Sequence, residues 1–291
     1  MHTQTYYEKT KTHQMKICIL ILAHKNPQQL KRLVARLHAE HYEVLVHVDL
    51  KAREIFEPFE SYMFSTTAVY WGGYSTVKAT LELFDKAMTL NADYYFLISG
   101  QDYPLQTRKE IERQIDTSKI LMSYDPLPIK GLGLNDGLER YRIFHFQDTG
   151  KWVPPFPSFL TRLKRRLGIN RKFLKGKKPF VGSQWFGASK EVLAFLLQET
   201  EQYEWYFKYV MLSDEMTFHT ILANSDYAIK VTNNNFRKIA WDRPGPKPYV
   251  WQTSNLEELI TSDAFFARKF DCENNFEIFD AIDSHTFQPK N

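Results

Sequence analysis

Three short apolar runs constrain this 291-residue chain more than any other feature. They are ICILILA over 17–23, VLVHV over 44–48 and YYFLIS over 94–99. None approaches the roughly 20 apolar residues of a membrane-spanning helix. Each reads instead as a strand buried on both faces. Between them the apolar spacing becomes helical. Asn26 and Pro27 precede Leu30, Leu33, Val34 and Leu37, and Ser75 precedes Val77, Leu81, Phe84 and Met88. Asn26 and Ser75 are therefore expected as N-caps, with Pro27 at the first helical position. Strands alternating with helices at these lengths argue for right-handed βαβ units. The expectation is an α/β fold whose Rossmann-like, mostly parallel central sheet is flanked by helices.

Shorter strands are expected near Ala68 to Tyr70 and over Ile120 to Tyr124. GSQWFGASKEVLAFL and SDEMTFHTIL predict helices capped by Ser189 and Ser213. The polar start, residues 1–14, reads as a disordered leader before a single domain over 15–291. An irregular basic insertion interrupts that domain at about 150–180. Hydrophobic content of 43% is ample for a sizeable core. Two cysteines, Cys18 and Cys272, cannot build a disulfide framework or a cysteine metal site, which points to a reducing, cytoplasmic setting.

The net charge of +4 is unevenly spread: TRLKRRLGINRKFLKGKKP, residues 161–179, holds nine Lys or Arg and no acid. Such a run marks a solvated loop, or a surface meeting anionic lipid or a phosphate-bearing substrate. No nucleic-acid recognition motif accompanies it. Peripheral contact with the inner face of the cell membrane through residues 161–178 follows as an expectation.

The first, second and fourth predicted strands end in polar groups: His24 and Asn26, Asp49, and Ser99 with Asp102. In a doubly wound sheet such ends line one ligand crevice. Neither G-x-G-x-x-G nor G-x-x-x-x-G-K-[ST] is present to cradle phosphates. There is no Asp-x-Asp, no H-x-x-x-H and no G-x-S-x-G, so neither a metal nor another cofactor is signalled. A diphosphate would need fixed cations, and AFFARKFD sets Arg268 beside Lys269. In MLSDEMTFHTIL, Glu215 falls in the first turn of the predicted helix. It is there either as a charge complementing the helix dipole or as a general base.

The blocks VYWGGYS, YFLISGQDYPL, GSQWFGAS, LSDEMTFHTILANS, NNFRKIAWD and AFFARKFD stand in an order that resembles one glycosyltransferase family. That family comprises the core-2/I-branching N-acetylglucosaminyltransferases and the peptide O-xylosyltransferases, and the wording is closer to the latter. The resemblance runs from about Lys16 to Asp271 and is poor in the middle. It implies a GT-A type fold and inverting, metal-independent transfer from a UDP-sugar to a hydroxyl of a glycan acceptor. UDP-N-acetylglucosamine is favoured as donor and UDP-xylose comes next.

Carried onto matching positions, Glu215 would be the base, and Arg268 with Lys269 would neutralise the diphosphate. Asp49 and the Trp71-Gly72-Gly73 turn would hold the nucleoside, and Asp102 would sit near the donor sugar. Glu139 and Trp185 would face the acceptor. Gln184 stands where the xylosyltransferases carry an acid. The anchor and secretory cysteines of animal members are missing, which suits a bacterial enzyme building surface polysaccharide on a lipid carrier. The competing expectation is a sugar- or nucleotide-binding protein on a decayed transferase fold.

Overall fold

The computed structural model describes residues 15–149, 166, 170–241 and 248–287. The leader and much of the basic run therefore lie outside the described residues. The three apolar runs form the strands β1 (Ile17–Ala23), β2 (Glu43–Val48) and β4 (Tyr94–Ser99). With β3 (Met63–Phe64) and β8 (Gly187–Ser189) they build a sheet of order β3-β2-β1-β4-β8. All pairings are parallel except β4 with β8. Alternate residues of β1 enter two separate cores, as a sheet covered on both faces requires. Ile17, Ile19 and Ile21 pack with Leu33 and Leu37 of helix α1 (Pro27–Ala39). Cys18 and Leu20 pack with Val77, Leu83 and Phe84 of the helix Ser75–Ala87.

A second, three-stranded sheet has the order β5-β10-β9, from β5 (Asp102–Pro104), β9 (Arg237–Ile239) and β10 (Phe266–Arg268). A two-stranded ribbon joins β6 (Tyr124–Pro126) to β7 (Phe180–Gly182). Gln29 of α1 laces the two sheets together. Its Nε2 donates to the carbonyls of Gly100 and Phe270, each at 3.2 Å, and its Oε1 accepts from the Cys272 N–H.

Several local expectations are corrected. Residues 68–70 are not a strand, because the Val69 N–H turns to the Asp49 carboxylate rather than to a ladder partner. Ile120 and Leu121 make isolated bridges only, and the strand begins at Tyr124. Ser189 does precede a helix, Lys190–Phe207, but its side chain makes no capping bond. Asn26 has left-handed φ 55° and sends its Nδ2 to Asp271 at 2.7 Å instead of capping α1. Ser75 is the first helical residue, and the helix start is capped from outside: Asp148 accepts from the Ser75 N–H and hydroxyl. A carboxylate there also complements the helix dipole.

Ser213 donates to the Phe207 carbonyl at 2.7 Å and opens a 3₁₀ turn, Ser213–Glu215. The helix Thr217–Ala223 follows only after Met216, whose φ of −120° breaks the path. Glu215 therefore lies in the turn ahead of that helix rather than in its first turn.

Candidate active site

The ends of β1, β2 and β4 meet where parallel strand ends open a crevice. The Asp49 N–H donates to the Ala23 carbonyl at 2.8 Å, and the Gly100 N–H to the Leu22 carbonyl at 2.9 Å. His24 keeps open surface at the mouth, and its surroundings report what gathers there. Desolvation by the surrounding protein pulls its pKa down, aided by the charges of Arg268, Lys25 and Lys269, while Asp49 opposes. The structure thus brings Asp49, Arg268 and Lys269 to one place, although 219 residues separate Asp49 from Arg268 (268 − 49).

Asp49 is nearly buried. Its Oδ1 accepts from the N–H groups of Lys51 and Val69, both at 3.0 Å, and Lys51 Nζ stands 3.5 Å from Oδ2. Lys51 also lies over the Tyr70 ring, 4.2 Å from its centroid, and donates to the Val69 carbonyl. Asp49 therefore pins the segment that leads into Trp71-Gly72-Gly73. Trp71 is 72% exposed, a large flat apolar surface left open to a ligand.

Both glycines are required by their surroundings. Gly72 has φ +72°, which a side chain rarely tolerates, and a Cβ on Gly73 would overlap the Asp148 carboxylate. The Gly72 carbonyl accepts from the Leu212 N–H at 2.9 Å, and the Leu212 carbonyl accepts from the Glu215 N–H at 3.0 Å. One hydrogen-bonded path thus runs from Asp49 to Glu215.

Glu215 is partly exposed, and its Oε2 accepts from Arg140 Nη1 at 2.5 Å. The Arg140 carbonyl in turn accepts from the Met211 N–H, fixing the arginine's own strand of chain beside the turn. Asp214, next to Glu215, points into the protein. Burial, with Glu215 adding to it, pushes its pKa up to about 7, and its Oδ1 has no partner. Glu139 is buried, and its Oε1 accepts from Asn135 Nδ2 at 3.0 Å.

Trp185 is 8% exposed and carries Arg268 on its ring, 4.9 Å from guanidinium carbon to centroid. Asp102 has no exposed surface. Its carboxylate is taken up by Arg237, Arg268 and the Ser99 N–H. Arg140, Arg237 and Asp148 were not marked by the sequence reading. Arg140 adjoins Glu139, and Arg237 lies inside the NNFRKIAWD block, but their partners are far along the chain.

Asp49, Arg268 and Lys269 thus meet beside His24, Trp185 joins them through Arg268, and Glu215 is tied to Asp49 through the Trp71–Gly73 turn. The Core-2/I-branching enzyme family model matches residues 17–261. The chain belongs to the Core-2/I-branching enzyme family. The matched stretch of this Core-2/I-branching domain includes Asp49, the Trp71–Gly73 turn, Asp102, Glu139, Trp185 and Glu215, while Arg268 and Lys269 lie just past its end. Xylosyltransferase 2 of Mus musculus is 24% identical over 312 residues, covering 94% of this chain and 34% of that protein. Xylosyltransferase of Ciona intestinalis is 26% identical over 308 residues, covering 92% and 34%. The chain spans about a third of the length of these curated relatives. Among solved structures, the inositol-1-phosphate CTP transferase of T. maritima is remotely similar. Its identity is 12% and its TM-score 0.39, over 94% of this chain and 98% of that one.

Proposed function

We propose that this protein is an inverting glycosyltransferase that moves a sugar from a UDP-sugar to a hydroxyl of a glycan acceptor. The single observation that carries the reading is that one hydrogen-bonded turn ties the partly exposed carboxylate Glu215 to Asp49 at the strand ends, where Arg268 and Lys269 gather. Inversion at an anomeric carbon needs a base on the acceptor hydroxyl and a stabilised leaving group on the opposite face of the sugar. Glu215 takes the proton from the acceptor hydroxyl as that oxygen bonds to the anomeric carbon. The bond from carbon to the diphosphate oxygen breaks, and UDP leaves with its charge matched by Arg268 and Lys269. Trp71 and Asp49 serve the nucleoside, and Trp185 and Glu139 serve the sugars.

The relatives' name supports a pentose donor. Gln184 supports UDP-N-acetylglucosamine, because its buried Nε2 lacks a partner and an amide N–H suits an acetamido oxygen. A panel of UDP-sugars is expected to single out one donor by raised melting temperature, and that donor should release UDP with acceptor. Fixed cations do the diphosphate work in this reading, so turnover should survive EDTA. Loss on chelation that Mn²⁺ restores would remove the metal-independent reading. Thermal protection by a UDP-sugar with no UDP released from any acceptor would replace the transferase by a binding protein.

The same reading places the enzyme at the inner membrane face, where a lipid-linked glycan would be met. Arg166, Arg171, Lys172, Lys175, Lys177 and Lys178 are the described part of the basic run. Sedimentation with vesicles containing anionic lipid should fall as salt rises. Salt-independent sedimentation, or none, would count against it.

A further inference from the structure

Arg237 has no role in the reaction as drawn, yet it is a guanidinium with 1% of its side chain exposed. The small sheet explains where it sits. Arg268 of β10 is the cross-strand partner of Asp102 in β5, and Phe266 of β10 is the partner of Arg237 in β9. Phe266 and Arg268 are two residues apart and so share a face. The register therefore sets Asp102, Arg268 and Arg237 on one side of a three-stranded sheet.

Asp102 Oδ2 accepts from Arg237 Nη1 at 2.7 Å, and Oδ1 from Arg268 Nη1 at 3.2 Å. Arg237 is further held by the Leu97 carbonyl at 3.3 Å and by the Phe266 ring at 4.9 Å. Burial lowers its pKa to about 10, the charge of Arg268 adding to this and Asp102 opposing, so it remains a cation at neutral pH.

The charges do not cancel. One buried carboxylate faces two guanidiniums, and the group carries a net +1. Desolvating ions is costly, and a buried pair alone is weak evidence for stability. A surplus buried cation costs more still unless an anion completes it. Arg237 is walled in, while Arg268 keeps 15% of its side chain open and is flattened against Trp185. The surplus is therefore offered through Arg268.

We infer that Asp102 and Arg237 are positioning residues, a buried clamp that fixes Arg268 in one pose and gives it unspent positive charge for the diphosphate of the donor. This rests on the reading that Arg268 meets that diphosphate. Asp102 neutralises one guanidinium only, so a second behind it is what keeps Arg268 unneutralised. Holding the guanidinium still in advance also removes the cost of ordering it on binding.

The experiment compares UDP with uridine, which lacks phosphates, by calorimetry on the full-length protein. Arg237→Met should weaken UDP about tenfold, leave uridine unchanged and flatten the salt dependence of UDP binding. Arg237→Lys, which restores the charge, should recover UDP to within about threefold. If the Met variant does not fold, the double variant Asp102→Asn/Arg237→Met removes both buried charges. Releasing Arg268 should again weaken UDP about tenfold relative to uridine. A folded variant of either kind that binds UDP like the parent overturns the clamp, as does a loss shared equally by UDP and uridine. Arg268→Ala and Lys269→Ala report on the underlying reading separately. If neither weakens UDP relative to uridine, the diphosphate assignment itself falls.

Discussion

On one side of the crevice Asp102, Arg237 and Arg268 stand on three paired strands. On the other, Glu215, Asp214 and Arg140 stand on a 3₁₀ turn and a four-residue helix. The strand-built side sets a buried carboxylate between two guanidiniums, each fixed by ladder register. The turn-built side holds groups pushed toward neutrality, the half-buried Asp214 with its pKa raised and the buried His219 with its pKa lowered. Its one strong ion pair, Glu215 with Arg140, is partly open to solvent. The difference matches the roles proposed for the two sides. A diphosphate needs standing positive charge, whereas a base must gain and lose a proton.

The largest expected effect separates the two sides by kinetics. Glu215→Gln keeps shape but cannot take a proton, so turnover should fall by about 10² to 10⁴ with UDP affinity nearly unchanged. Near-normal turnover would leave the turn-built side without its base. Lys269→Ala should do the reverse and weaken UDP itself. A charge-assisted contact of about 1.5–3 kcal/mol corresponds to roughly 10- to 150-fold in affinity. If the two variants show the same split between kcat and UDP affinity, the division of labour between the sides is wrong.

How much of this was legible follows the same line. The long strands were readable because ICILILA and YYFLIS are continuous apolar runs of strand rather than helix length. Met63–Phe64 was missed because two residues carry no periodicity. Asn26, Ser75 and Ser213 looked like caps, since short polar side chains usually bond locally. Here distant partners win instead: Asp271, Asp148 and the Phe207 carbonyl.

Of the site, the strand-end residues and Glu215 could be named, but not what holds them. Asp102 meets Arg237 across 135 residues and Arg140 meets Glu215 across 75, and nothing in local spacing announces either pair. The resemblance implied that Asp102 sits near the donor sugar. In the structure its side chain is buried and bonded to Arg237 and Arg268, partners that local spacing does not announce.

The smallest expected effect tests the neutral character of the turn-built side through stability rather than activity. Asp214 faces Glu215 and Arg140, and its pKa stands at about 7 against an ordinary 3.8. The folded state therefore holds a proton that the unfolded chain has already lost. That stabilisation is full below about pH 4 and is lost as pH rises through about 7. His219 faces Arg140 and donates from Nε2 to the Ser183 carbonyl at 2.8 Å, and burial brings its pKa down to about 4 from 6.5. Its contribution runs the other way: full above about 6.5 and lost as pH falls through about 4. Between pH 4 and 6.5 the two slopes oppose, each at most about 1.4 kcal/mol per pH unit. Asp214→Asn leaves the histidine alone, so melting temperature should climb across that window. His219→Gln, whose amide can still reach the Ser183 carbonyl, leaves the aspartate alone, so melting temperature should fall from about pH 4 to 7. Slopes of the same sign in the two variants would mean that these two groups are not held neutral in opposite senses, and the contrast with the charged, strand-built side would go with them.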